Sequence, residues 1–235
     1  LVLGLVRLER NFKKEQRRLA RERNLLLGVT HELKTPLASV QLGVDSLKRL
    51  SLSEADRAAV LENIQHGVWD LGHRVEDMLV ATRLQRQTDV QASSFDWGEM
   101  VDDAVRRVGD MHRSRVEVYK GQGPQEVRGD RALWVLSASN LIENALKYSE
   151  GKVEVRVEFR GSDALLEVTD EGEGISKADR EAARAPFVRL QEEGSGTGLG
   201  LHLVSQTALL HGAQMDMVDL DPQGFSVRLV WPQRR

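Results

Sequence analysis

A run of apolar residues spaced three and four apart constrains this chain most. Leu5, Leu8, Phe12, Leu19, Leu26, Val29, Leu33 and Val40 keep one register over the first forty residues, and Glu15 and Glu22 fill polar positions between them. That is a heptad stripe, which specifies a long helix with one apolar seam. Such a seam cannot be buried by the helix that carries it. A second helical pattern follows over about Ser53 to Gln85, with Val60, Ile64, Val68, Leu71, Val75, Met78 and Leu79 at its apolar positions. It opens on Ser53-Glu54-Ala55-Asp56, a helix start signal, and Ser51-Leu52-Ser53 reads as the turn. Two antiparallel helices make half a bundle, so the pattern predicts a helical hairpin that completes a four-helix bundle by homodimerisation.

The periodicity collapses between Arg86 and Asp96, where Gln-Thr-Asp-Val-Gln-Ala-Ser-Ser has the composition of a linker. Beyond it the pattern is mixed. Helices are expected near Trp97 to Met111, Asp130 to Ser149 and Gly198 to His211. Strands are expected near Val116 to Tyr119, Lys152 to Phe159, Ala164 to Thr169, Gln214 to Val218 and Phe225 to Trp231, several of them alternating in period two. The expected fold is therefore multidomain, an all-α hairpin followed by an α+β sandwich. At 235 residues the chain is long enough for two such cores.

Charge and composition narrow the function. The chain has no cysteine, which excludes disulfides, thiolate metal sites and cysteine nucleophiles. A net charge of -3 gives no reason to expect a nucleic-acid partner. The charge is uneven, however: residues 7–23 are strongly basic and follow the apolar stub Leu1-Val2-Leu3-Gly4-Leu5-Val6. That order fits the cytoplasmic exit of a transmembrane helix cut short, under the positive-inside rule, as well as it fits a solvated helix start. The lack of an initial Met suggests a fragment.

Four segments carry chemistry. His31-Glu32-Leu33-Lys34-Thr35-Pro36 lies on the first helix, with His31 off the seam and facing solvent. A neutral imidazole is a nucleophile near pH 7.5, Glu32 can accept its other proton, and Thr35 is one turn away on the same face. Pro36 withholds the N–H owed to the Glu32 carbonyl and should kink the helix there. Taken singly, an exposed helical His also fits plain solvated surface. Asn140, Asn144, Lys147 and Tyr148 fall on one helix face and offer amide oxygens for a hard cation, an ammonium for phosphate and a ring for a base. An ordinary polar face would look the same. Asp170-Glu171-Gly172-Glu173-Gly174 follows a strand, and Gly194-Ser195-Gly196-Thr197-Gly198-Leu199-Gly200 precedes a helix. Glycines there let backbone N–H groups approach phosphate at a helix N-terminus, although each loop alone also fits a simple turn. His66, Asp70, His73 and Asp77 share one stripe of the second helix; its apolar positions are filled by their neighbours, so they read as its wet face rather than a metal site.

Order and spacing together say more than any one segment. The chain resembles the sensor histidine kinases of two-component signalling, from about Leu19 onward. The resemblance implies a juxtamembrane coiled-coil helix over 1–23, a dimerisation and histidine phosphoacceptor domain over 24–86, a linker over 87–96 and a gyrase-like ATP-binding catalytic domain over 97–235. His31 then looks like the phosphorylated residue, Glu32 its acid-base partner and Thr35 the residue that positions water for dephosphorylating the partner. Asn144 resembles the ligand of Mg2+, with Asn140 beside it, Lys147 at the phosphates of ATP and Tyr148 at the adenine. Asp170 resembles the carboxylate that reads the adenine amino group, with Gly172 and Gly174 shaping its pocket. Gly196, Thr197, Gly198, Leu199 and Gly200 resemble the Gly-rich end of the ATP lid, and Phe187 and Arg189 its aromatic motif. The family usually has a second aromatic three residues before Phe187, and this chain has Arg184.

The implied activity is autophosphorylation on a histidine and transfer to an aspartate of a response-regulator receiver domain, together with partner phosphatase activity. The implied place is the cytoplasmic part of a bacterial inner-membrane protein. Two rivals share parts of this pattern. A gyrase-like ATPase would usually carry a water-activating Glu where Asn140 stands, and a non-catalytic nucleotide scaffold would usually lack Asn144, Asp170 or the glycines.

Overall fold

The computed structural model describes residues 12, 33–34, 36–48, 52–86, 91–108, 113–122, 125–190 and 198–233. His31, Glu32, Thr35, Gly196, Thr197 and most of the first heptad stripe lie outside the described residues. The chain divides into two compact units, one through Leu79 and one from Val80.

The helical unit contains α1, residues 36–48, and the start of α2, Glu54–Arg86. Ser53 starts α2 as its sequence suggested: its Oγ accepts the Asp56 N–H at 3.1 Å and donates to the Asp56 carboxylate at 2.6 Å. The hairpin packs through glycine. A Cβ at Gly43 would sit 2.7 Å from Ile64 Cγ1, and one at Gly67 would sit 2.8 Å from Val40 Cγ2. Rising numbers on α1 meet falling numbers on α2, so the pair is antiparallel. Leu61, Val68 and Val75, seven residues apart, form an exposed apolar stripe on α2.

In the α/β unit, β1 (Ser93–Asp96) pairs with β3 (Glu126–Gly129) in a small antiparallel sheet. The main sheet has the order β2 (Val116–Lys120), β4 (Val153–Arg160), β5 (Asp163–Asp170), β7 (Phe225–Pro232) and β6 (Gln214–Asp219). Only β2 and β4 are parallel. Ser93–Asp96 falls inside the stretch read as linker, so the ordered α/β unit reaches further back than its polar composition suggested. Val153, Val155 and Val157 of β4 are fully buried while Glu154 and Arg156 are exposed, the period-two pattern of a strand with one core face.

The core joins that face to α3 (Trp97–Arg107), α4 (Arg131–Tyr148) and α6 (Gly200–His211). Asp96 caps α3 by accepting the Glu99 N–H at 2.9 Å, and Asp130 caps α4 by accepting that of Leu133 at 3.2 Å. A four-residue helix, α5 (Arg180–Ala183), lies between β5 and α6. Trp97, Trp134 and Trp231 meet in one cluster, with ring centroids 4.9, 5.7 and 4.9 Å apart pairwise. The Trp97 indole N–H donates to the Leu165 carbonyl at 2.9 Å, which satisfies that donor in the core.

His211, at the end of α6, closes the cluster against Trp134 and Trp231. Its Nδ1–H donates to the Thr207 carbonyl at 2.8 Å, and its Nε2 accepts the Asp130 N–H at 3.0 Å. A carbonyl only accepts and an amide N–H only donates, so the ring is held neutral in one tautomer. Burial pushes its pKa below the usual 6.5, against smaller raising contributions from the Thr207 hydrogen bond and the Asp130 charge. A histidine depressed in the folded state contributes stability that is complete above its unfolded pKa of about 6.5 and is lost as pH falls below that value. Urea unfolding followed by tryptophan fluorescence should therefore show a loss of stability between pH 7.5 and 5.5 that is smaller in His211→Gln, whose amide oxygen can still accept the Asp130 N–H. An identical pH dependence in the two proteins would remove His211 as a contributor.

Candidate functional site

Helix α4 carries the four polar residues singled out in the sequence, and the fold brings Gly172 and Gly200 against it. Asn140 is buried, with its Nδ2 donating back to the Leu136 carbonyl at 3.0 Å. Its other amide atom faces α6, since a Cβ at Gly200 would sit 2.6 Å from Asn140 Oδ1 and 3.5 Å from Asn144 Nδ2. Glycine is required at this contact by space: a methyl group driven into a packed amide costs about 1–3 kcal/mol or displaces the helix. The start of α6 thus rests directly on Asn140 and Asn144. No side chain caps this start, whereas α3 and α4 have Asp96 and Asp130. Leu199 is buried beside it and Gly198 takes φ +65.

Phe187 joins the same group. Its N–H donates to the Gly198 carbonyl at 3.0 Å, and a Cβ on Gly198 would sit 2.9 Å from the Phe187 carbonyl carbon. Phe187 itself takes φ +62, a left-handed backbone that non-glycine residues adopt at a cost. Arg189, two residues on, is exposed.

The other loop reaches the C-terminal end of α4. Asp170 ends β5, and its Oδ1 accepts the Gly172 N–H at 2.7 Å. Gly172 lies against the helix end, where a Cβ would sit 2.5 Å from the Tyr148 carbonyl oxygen. Gly174, at φ +72, lies on the Phe225 ring. Partial burial pushes the Asp170 carboxyl above its ordinary range, and the hydrogen bond from Gly172 opposes that shift. Tyr148 is half exposed, and Lys147 Nζ stands 4.7 Å from its ring centroid.

Asp170, Gly172, Tyr148, Asn144, Asn140, Gly200, Gly198 and Phe187 therefore form one connected set around α4. Its chemistry suits a nucleotide: a recessed carboxylate beside a glycine turn at one end, and amides with an uncapped helix start at the other. Among the described residues no group of three His, Asp or Glu converges as metal ligands.

Sequence reading missed Arg115. Its guanidinium donates to the carbonyls of Leu146 at 3.2 Å, Ser149 at 2.6 Å and Gly151 at 2.8 Å, which closes the C-terminus of α4 just past Tyr148. Nothing in the local sequence signals this, since Arg115 stands one residue before β2 and more than thirty from the carbonyls that it caps.

Comparison with known proteins agrees with this geometry. Residues 129–235 match the family model described as histidine kinase-, DNA gyrase B- and HSP90-like ATPase, and residues 21–87 match the His Kinase A phospho-acceptor domain. The chain is 30% identical to the sensor histidine kinase CpxA of Escherichia coli K12 over 224 residues, 92% of this chain and 48% of that one. It is 30% identical over 215 residues to the signal transduction histidine-protein kinase/phosphatase MprB of a Mycobacterium species, 87% of this chain and 41% of that one. The solved structure of a mycobacterial sensor histidine kinase MprB, 32% identical, covers 60% of this chain and 97% of its own with a TM-score of 0.52. The chain spans about half the length of the curated relatives that it matches. It belongs to the sensor histidine kinases of two-component signalling.

Proposed function

We propose that this chain binds ATP in the α/β unit, phosphorylates its own His31, passes the group to an aspartate of a response-regulator receiver domain and dephosphorylates that partner. The observation that carries this reading is the connected set on α4, which joins the adenine-type loop at Asp170 to the phosphate-type turn at Gly198 and Gly200. In it, Asp170 accepts from the adenine amino group, Gly172 and Gly174 keep the base pocket open, and Tyr148 lies along the base. Lys147 meets the phosphates, and the N–H groups at the start of α6 supply donors and a favourable dipole to them. Gly196 and Thr197 would extend that cradle, with Phe187 and Arg189 on the approach to it. Asn144, beside Asn140, would hold Mg2+, which supplies charge neutralisation at the phosphates.

Phosphoryl transfer of this kind is mostly positioning and electrostatics. The imidazole of His31 forms a bond to the γ-phosphorus as the bond to the β,γ-bridging oxygen of ATP breaks and ADP leaves. Glu32 takes the proton from the other ring nitrogen. The buried amide of Asn140, tied to the Leu136 carbonyl, offers no base to activate water, which favours transfer over ATP hydrolysis. The phosphatase reading draws on the resemblance and on MprB, whose name includes both activities.

The remaining assignments belong to the same reading. The exposed stripe of Leu61, Val68 and Val75 supports a homodimer in which a second hairpin covers it. The phosphoacceptor unit would span 24–86 and the catalytic unit 97–235, with β1 added to the latter through its pairing with β3. The basic stretch over 7–23 would follow a membrane segment on the cytoplasmic side; no helix among the described residues is long and apolar enough to cross a membrane.

Incubation with γ-labelled ATP and magnesium tests the proposal directly. The chain should acquire acid-labile label, and His31→Gln should abolish it while leaving nucleotide affinity unchanged. Full acid-labile labelling of the variant would move the acceptor elsewhere.

Thr35→Ala separates the two activities that share this surface. It removes no nucleophile, charge or nucleotide ligand, so autophosphorylation should persist. Dephosphorylation of the receiver partner, followed as decay of its label with unphosphorylated kinase and ADP, should slow by about 10²-fold, the cost of misplacing one reacting group. Equal decay with both proteins would show that the hydroxyl places no water.

A further inference from the structure

Between the Asp170 loop and the Gly198 turn, the chain runs along the sheet edge at β6 and is fastened there by two arginines. Arg180 and Arg184 are four residues apart, about 6 Å along a helix, and the carbonyls they reach are two residues apart, about 6.6 Å along a strand. Arg180 donates through one terminal nitrogen to the Met217 carbonyl at 2.7 Å, and Arg184 donates to that of Met215 at 3.2 Å. Both carbonyls lie on the edge strand β6, which pairs with β7 on one side and has no neighbouring strand among the described residues on the other.

Each arginine also holds one end of the candidate site. Arg180 donates through Nε to the Ile175 carbonyl at 3.0 Å, pairs with Asp219 and stands 5.5 Å over the Phe225 ring, on which Gly174 is packed. It therefore braces the loop that follows Asp170. Arg184 offers its own carbonyl to His202 Nδ1–H at 3.1 Å, and His202 lies in the first turn of α6, two residues past Gly200. Three residues on, Phe187 bonds the Gly198 carbonyl. Arg184 stands where the family usually has an aromatic residue, so a directional bond to the sheet edge occupies the place of a packing contact.

We propose that Arg180 and Arg184 are positioning residues for nucleotide binding, Arg180 fixing the base end of the pocket and Arg184 the phosphate end. The proposal rests on the ATP reading above. Neither side chain touches the nucleotide in this account; each acts through the backbone that it holds.

The test compares AMP with ATP, titrated with magnesium into the full chain. Arg180→Ala should weaken both ligands by the same factor of about ten, whereas Arg184→Ala should weaken ATP about tenfold and AMP by less than twofold, from displacement of reacting groups by a fraction of an ångström. Arg184→Lys should recover most of the ATP affinity, because an ammonium can still donate to the Met215 carbonyl. If Arg180→Ala melts earlier than the unaltered chain, Asp219→Asn serves in its place; it removes only the ion-pair partner and should weaken AMP and ATP equally, by a smaller factor. Variants that melt normally and bind both ligands with unchanged affinity would overturn the proposal, as would equal losses of AMP and ATP in Arg184→Ala. Failure of the unaltered chain to bind either ligand would overturn the ATP reading and this proposal with it.

Discussion

The α/β unit depends on how closely its neighbours approach α4. Gly200 and Gly172 press on the two ends of one helix face, at Asn140 and Asn144 and at the Tyr148 carbonyl, with no room for a Cβ at either contact. Those approaches set the distance between the Asp170 loop and the start of α6. The helix must itself be fixed for this to work. Its N-terminal part is locked by the tryptophan cluster and by Asp130, which also gives its N–H to His211. Its C-terminus is closed by Arg115. Rigidity at both ends and small residues at the contacts are what a preformed polar site requires.

Stability and binding chemistry are kept apart in this unit. The aromatic cluster gathers at the end of the sheet where Ala164 pairs with Trp231, whereas Asp170 pairs with Phe225 six residues along the same two strands, about 20 Å away. Large apolar rings supply burial at one end, and the other end is left to amides, a carboxylate and glycines. Losing any of the three indoles would cost about 3–5 kcal/mol without altering a ligand contact. In the helical unit the same logic appears as Gly43 and Gly67, which let α1 and α2 approach, while Leu61, Val68 and Val75 form an exposed apolar stripe on α2.

What the sequence disclosed was periodic or local. The alternating valines of β4, the helix start at Ser53 and the order of the glycine loops all depend on neighbours a few residues away. The β1–β3 pair was not legible, because Ser93 and Ser94 have no strand signature and gain one only by pairing with Gly129 and Arg128. The contacts of Arg115, Arg180 and Arg184 with the carbonyls of Ser149, Met217 and Met215 were equally illegible, since those carbonyls are distant in the chain. Asn140 was read from spacing as sharing a helix face with Asn144, but its burial and its bond to Leu136 follow from the packing of α6 and could not be read that way.

In the proposed function the groups gathered on α4 form the ATP site of a histidine kinase. Calorimetric titration with a non-hydrolysable ATP analogue and magnesium tests it most directly, comparing the unaltered chain with Asp170→Asn and Asn144→Ala. Asp170→Asn keeps the oxygen that accepts the Gly172 N–H and removes the charge offered to the adenine amino group, and Asn144→Ala removes the cation ligand. Each variant should melt like the unaltered chain and bind about ten- to a hundredfold more weakly, as expected for one hydrogen bond to a charged group. Unchanged affinity in both variants would contradict the account and place the nucleotide elsewhere.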